Sequence, residues 1–141
     1  MNDAQSDLGQ VNLISLKTVI RTKNLEASKK FYTEILQLTV VQNYNDSDGS
    51  KGCILRIGDV DSQAFIELSE IKNNHEYYQN AFGEDFKNDK TDLQISTKDI
   101  AYWANRINKL WTARGPVLRP WGSSYLYLRD PDGLQIIIYQ E

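Results

Sequence analysis

Residues 125–139 read YLYLRDPDGLQIIIY. Two runs of β-branched, aromatic and aliphatic residues flank Asp130-Pro131-Asp132-Gly133, which has Pro and Gly where a tight turn needs them. The stretch predicts a hairpin, with strands over 125–129 and 134–139. Upstream, residues 116–118 predict a short edge strand. Arg114-Gly115-Pro116 reads as a helix stop, Gly past the end and then Pro. The helix it closes opens at Asp99, a good N-cap, and puts Ile100, Trp103, Ala104, Ile107, Leu110 and Trp111 on one apolar face. Residues 91–97, TDLQIST, predict the strand before that helix. The second half of the chain therefore reads βαβββ.

The first half repeats this pattern. Residues 15–21 (SLKTVIR) predict a strand, and Asn24 caps a helix whose apolar face carries Leu25, Ser28, Phe31, Tyr32, Ile35 and Leu36. The helix ends near Gln37. A strand follows over 38–43, then a turn cluster over 44–51 (YNDSDGSK), then strands over 53–57 and 64–68. Asn24 and Asp99 lie 75 positions apart, as do Lys17 and Asp92. Such a repeat predicts two modules related by a pseudo-two-fold. Residues 71–90 have no clean period and read as a linker, with some helix around 75–82; so long an irregular stretch suits a join between two halves. The fold expected is α+β: two βαβββ modules forming curved mixed sheets around a cleft. Module one covers 13–70 and module two 91–140, in one domain over 13–140.

The chain has 141 residues, long enough to bury a single core. Its 16 Lys+Arg against 19 Asp+Glu give −3, which argues against nucleic acid and anionic membrane surfaces as partners. Cys53 is the only cysteine, so no intrachain disulfide forms; a buried small side chain is its ordinary reading. His75 is the only histidine, which excludes a multi-histidine metal site. It falls in the linker and reads as exposed. Residues 1–12 are polar, without a basic or apolar signal region, and read as a loose tail on a cytoplasmic protein. No Gly-rich phosphate loop, nucleophile elbow or CxxC is present. Aromatic residues are plentiful: three Trp, eight Tyr and four Phe.

Strand alternation separates two faces. Leu16, Thr18, Ile20, Ile66, Leu68, Leu93, Ile95, Ile136 and Ile138 face the helices. The opposite face is mixed: Lys17, Val19 and Arg21; Phe65, Glu67 and Ser69; Asp92, Gln94 and Ser96; Gln135, Ile137 and Tyr139. That face is either a ligand cleft or the solvated side of an ordinary sheet.

Residues 24–36 (NLEASKKFYTEIL) and the 125–139 hairpin resemble the vicinal oxygen chelate superfamily, which includes glyoxalase I, extradiol dioxygenases, and fosfomycin- and bleomycin-resistance proteins. The resemblance spans nearly the whole chain. It implies metal-ligand positions on the first, fourth, fifth and eighth strands, which here are Lys17, Glu67, Asp92 and Ile137. Lys17 is a cation and Ile137 has no donor atom, so no metal and no other cofactor is expected. Lys17 with Glu67 or Asp92 reads either as a charge pair or as leaving one acid partly free for a cationic ligand. Trp121, in Arg119-Pro120-Trp121-Gly122, resembles the crevice Trp of the bleomycin-resistance branch. It either stacks on a ligand or caps a sheet edge or dimer contact.

The resemblance thus implies a metal-free small-molecule binding protein, a homodimer, that sequesters an aromatic or cationic compound without catalysis. Trp121, Tyr127 and Phe65 would stack, Glu67 and Asp92 would supply charge, and Lys17 and Ile137 would line the same cleft. The alternatives are a glyoxalase-like lyase or isomerase with an atypical metal site, or a regulatory subunit with a vestigial cleft.

Overall fold

The computed structural model describes residues 13–82 and 89–141. The expected tail over 1–12, and part of the linker, lie outside the described residues. Module one runs β1 (Leu16–Thr22), α1 (Leu25–Lys30), a π-helical turn (Phe31–Ile35), β2 (Thr39–Asn45), β3 (Lys51–Arg56) and β4 (Ala64–Glu70). After the short α2 (Tyr78–Phe82), module two runs β5 (Asp92–Ser96), α3 (Ile100–Leu110), β6 (Ala113–Leu118), β7 (Ser124–Arg129) and β8 (Gln135–Gln140). Each module forms an open four-stranded sheet, ordered β1-β4-β3-β2 and β5-β8-β7-β6. β1 lies parallel to β4 and β5 parallel to β8; the other pairings are antiparallel. A parallel pair needs a long crossover, and in both modules the helix lies within it. The two predicted βαβββ modules are present.

The helix starts follow from their caps. Asn24 Oδ1 accepts from the Ala27 amide at 3.1 Å and Asp99 Oδ1 from the Tyr102 amide at 3.0 Å. A second donor at each start is met by the module's closing strand. Glu70 Oε2 accepts from the Leu25 amide at 3.0 Å, and Gln140 Oε1 from the Ile100 amide at 2.9 Å. Each bond satisfies an amide the helix itself leaves without a partner.

Three local expectations are corrected. The first helix does not stay α-helical to Gln37: from Phe31 it widens into a π turn, with the Leu36 amide bonded to the Phe31 carbonyl, and the adjacent Phe31 and Tyr32 are both buried. Arg114-Gly115-Pro116 is not a helix stop. α3 ends at Leu110, and these residues lie inside β6, at a register shift against β7 between Arg114 and Val117. Gly115 has φ +111°, and a Cβ there would stand 2.7 Å from the Tyr125 carbonyl, so the bulge requires glycine. The turn over 44–51 is shorter, because Tyr44 belongs to β2 and Lys51 to β3.

One hydrophobic core spans both modules: Phe31, Tyr32, Leu55, Ile66 and Leu68 from the first with Ile107, Leu126, Leu128, Ile136 and Ile138 from the second. Cys53 is buried in it, and Trp103 packs against it. Polar contacts join the halves. Tyr32 Oη donates to Asp130 Oδ2 at 2.7 Å, and Arg106 donates to the carbonyls of Ile35 and Glu34. Trp111 falls past the end of α3, against Phe31 at 5.0 Å, and its Nε1 donates to the Arg129 carbonyl.

Candidate functional site

The expected site residues fall into two groups, one on each sheet. On sheet one the registers bring Lys17 opposite Phe65 opposite Arg56, and Val19 opposite Glu67 opposite Ile54. Lys17 Nζ lies 2.6 Å from Glu67 Oε1, and Tyr44 Oη donates to Glu67 Oε2 at 2.8 Å. Tyr44 pairs with Gly52 across β2 and β3, and a Cβ on Gly52 would stand 2.7 Å from Tyr44 Cζ. Glycine therefore lets the ring lie close over the strand and carry its hydroxyl to the acid. The bond from Lys17 holds the Glu67 carboxyl below its usual range, with a smaller contribution from Tyr44, and burial opposes both. The Arg56 guanidinium stands 5.5 Å over the Phe65 ring.

Sheet two carries a different chemistry. Across β5, β8, β7 and β6 the rows are Asp92–Gln135–Arg129, Gln94–Ile137–Tyr127–Arg114 and Ser96–Tyr139–Tyr125–Val117. Asp92 Oδ1 accepts from Gln135 Nε2 at 2.8 Å. Ile137 is 3% exposed and forms the apolar floor. Over it run Tyr127, Tyr125 and Trp121, with successive ring centroids 5.9 Å and 5.5 Å apart, and Tyr139 joins at 5.9 Å from Tyr125. A guanidinium stacks at each end of the run: Arg114 at 4.1 Å from the Tyr127 centroid and Arg119 at 5.0 Å from the Trp121 centroid. Trp121 is 60% exposed, so the run opens to solvent. A cavity of about 720 Å³ adjoins its Tyr127 end, lined among others by Trp111, Arg114, Tyr127, Arg129, Asp130 and Gln135. A second cavity, of about 590 Å³, lies between β1 and module two, lined among others by Thr18, Arg21, Leu93 and Asp130.

Lys17, Phe65 and Glu67 thus stand together on sheet one, and Asp92, Tyr127 and Ile137 on sheet two, with Trp121 in the turn between β6 and β7. Sequence reasoning missed Tyr44, which it assigned to a turn, and Arg114, which it read as part of a helix stop. It quoted Arg119 beside Trp121 without giving it a role. The four positions that the resemblance implies for metal ligands, Lys17, Glu67, Asp92 and Ile137, do not fit a transition-metal ion. Lys17 and Tyr44 occupy the two oxygens of Glu67, Asp92 is bonded to an amide, and Ile137 supplies no donor. Among the described residues no three His, Cys, Asp or Glu side chains converge. No helix among them is long and apolar enough to cross a membrane.

No curated protein matches the chain significantly. Solved structures do. A Glyoxalase/bleomycin resistance protein/dioxygenase superfamily member from Sphaerobacter thermophilus is 18% identical with a TM-score of 0.69, over 93% of this chain and 99% of that one. The trypanothione-dependent glyoxalase I of Leishmania major is 22% identical with a TM-score of 0.67, over 92% and 88%. Lactoylglutathione lyase from Agrobacterium tumefaciens is 19% identical with a TM-score of 0.62, over 91% and 92%. At these identities the likeness is one of fold. Residues 14–138 match the family described as Glyoxalase/Bleomycin resistance protein/Dioxygenase superfamily, and the chain belongs to it.

Proposed function

We propose that the chain is a metal-free small-molecule binding protein of the bleomycin-resistance type, which sequesters a flat aromatic compound on the open face of sheet two without chemistry. The observation that carries this reading is the run Tyr127–Tyr125–Trp121, whose outermost ring is largely exposed. Rings held on β7 and on the turn before it present π-surface for stacking at little entropic cost. The proposal includes a cytoplasmic homodimer. β1 and β5 each have one open edge, and Leu13, Ile14 and Leu16 stand exposed beside β1. Light scattering at twice the chain's mass is the expected result.

The test uses a neutral flat probe, naphthalen-2-ylmethanol, followed by tryptophan fluorescence and thermal shift. The probe binds, and Trp121→Ala weakens it about fivefold, in line with ~1 kcal/mol for one aromatic contact, while the unliganded melting temperature stays put. Divalent metals and EDTA leave the melting temperature unchanged. A stabilising metal that EDTA strips, or a probe indifferent to Trp121, would refute the reading.

A further inference from the structure

The charges around the aromatic run specify its ligand further. The chain as a whole is acidic, at −3. The run is nevertheless closed at both ends by guanidinium groups. Among the described residues the ion pairs are Lys17–Glu67, Lys72–Glu70 and Arg129–Asp89, so Arg114 and Arg119 have no carboxylate partner. Arg129, which lines the cavity with Arg114, has its charge balanced by Asp89 at 2.6 Å. Asp130 also lines that cavity, but its oxygens already accept from Tyr32 and from the Asp132 and Leu134 amides. Asp92, the acid on the open face, lies on β5, whereas Arg114 lies on β6 at the opposite edge. Three strand spacings separate the two strands, roughly 14 Å. That exceeds the screening length of about 8 Å at physiological ionic strength, so Asp92 does little to offset the Arg114 charge.

Stacking also leaves each guanidinium ready for a partner. A guanidinium lying over a ring uses its face and keeps its in-plane N–H donors free, a fork that matches a carboxylate, sulfonate or phosphate. Arg119 Nε is buried and has no hydrogen-bond partner among the described residues. Arg114, held at 4.1 Å on Tyr127, lines the 720 Å³ cavity at the end of the run. A cationic ligand on these rings would meet two unbalanced positive charges.

We infer that the ligand of this face is an aromatic anion, its ring on Tyr125 and Trp121 and its anionic group on Arg114, with Arg119 as the second positive contact. This rests on the aromatic-binding reading above. The experiment compares three probes with one ring system on the full chain by isothermal titration: 2-naphthoate, naphthalen-2-ylmethanol and naphthalen-2-ylmethylammonium. Naphthoate binds about tenfold more tightly than the alcohol, as a charge-assisted hydrogen bond supplies, and the ammonium binds more weakly than the alcohol. Raising the salt concentration narrows the gap. Arg114→Gln narrows the naphthoate-to-alcohol ratio, and Arg114→Lys, which keeps the charge without the planar fork, recovers part of it. Should Arg114→Gln fail to fold, the three-probe order and its salt dependence in the unaltered chain decide the matter. Equal affinities for naphthoate and alcohol, or the ammonium binding most tightly, would overturn the anion inference and leave aromatic binding standing. Failure of all three probes to bind would overturn both.

Discussion

Replacing Tyr32 by Phe removes one oxygen atom from the contact that joins the two modules. The phenol is fully buried and donates at 2.7 Å to Asp130 Oδ2, and Asp130 is itself 4% exposed. The ring stays, so no cavity of consequence opens. The other Asp130 oxygen keeps its two backbone donors, the amides of Asp132 and Leu134. Loss of a hydrogen bond to a buried charged acceptor costs about 1.5–3 kcal/mol; with half the carboxylate still satisfied, about 2 kcal/mol is expected. At roughly 4 °C per kcal/mol for a chain this size, the melting temperature falls by ~8 °C. The effect depends on pH, with a definite sign. Burial raises the Asp130 carboxyl above its usual range, and the bond from Tyr32 pulls it partly back. An acid that is harder to ionise when folded makes stability fall as pH rises from the usual carboxylate range through the raised value. Without Tyr32 Oη the carboxyl rises further, so the variant's deficit is full near neutral pH and narrows once acid protonates Asp130. Urea unfolding followed by tryptophan fluorescence, at about pH 7.5 and again near the acid limit of folding, measures both terms. A deficit under about 0.5 kcal/mol, or one that widens on acidification, would refute this account.

Two further perturbations address sheet one. Gly52→Ala drives a methyl group into the Tyr44 ring and the Leu68 carbonyl; a loss of about 1–3 kcal/mol is expected in chemical unfolding, and the Tyr44 hydroxyl, now raised chiefly by burial and its bond to Glu67, titrates closer to an ordinary phenol. Lys17→Met returns the Glu67 carboxyl toward its usual range. Because that carboxyl is lowered in the folded protein, its contribution holds above the usual carboxylate range and is lost as pH falls. Lys17 is 44% exposed, so the change at neutral pH stays within about 1 kcal/mol, and an NMR titration of Glu67 reads the shift directly.

The repeat was legible because each module announces itself twice, by a capped helix with a 3.6-residue apolar period and by a closing strand of alternating residues. That Lys17 and Glu67 share the face away from the helices was legible for the same reason, but the choice between Glu67 and Asp92 as the partner of Lys17 was open until the pairing of β1 with β4 placed Glu67 beside it. The turn residues around Tyr44 hid its strand, since Asn, Asp, Ser and Gly on one side outweighed the alternation on the other. Arg114-Gly115-Pro116 carries the residues of a helix stop and of a strand bulge equally well, and only the pairing of β6 with β7 distinguishes them. The π turn was not legible, because an apolar face that carries both Phe31 and Tyr32 reads alike with either hydrogen-bond spacing. Alternation assigns a residue to a face, but not to a neighbour across the sheet. Alternation therefore placed Asp92 on its face, and the resemblance supplied Trp121, but neither shows that Arg114 lies over Tyr127 or Arg119 over Trp121.

The paired caps from Glu70 and Gln140 bear on how the molecule opens and closes. Each is the last residue of its module's final strand, and each holds the first amide of a helix 45 or 40 residues earlier in the chain. Helix starts ordinarily fray independently of the rest of a domain. Here the first turn of α1 and of α3 is tied to the strand that finishes the sheet, so the amides of Leu25 and Ile100 exchange hydrogen with those strands and not ahead of them. Each module then behaves as a cooperative unit closed at its last residue, and its helix is completed only when the fourth strand has docked.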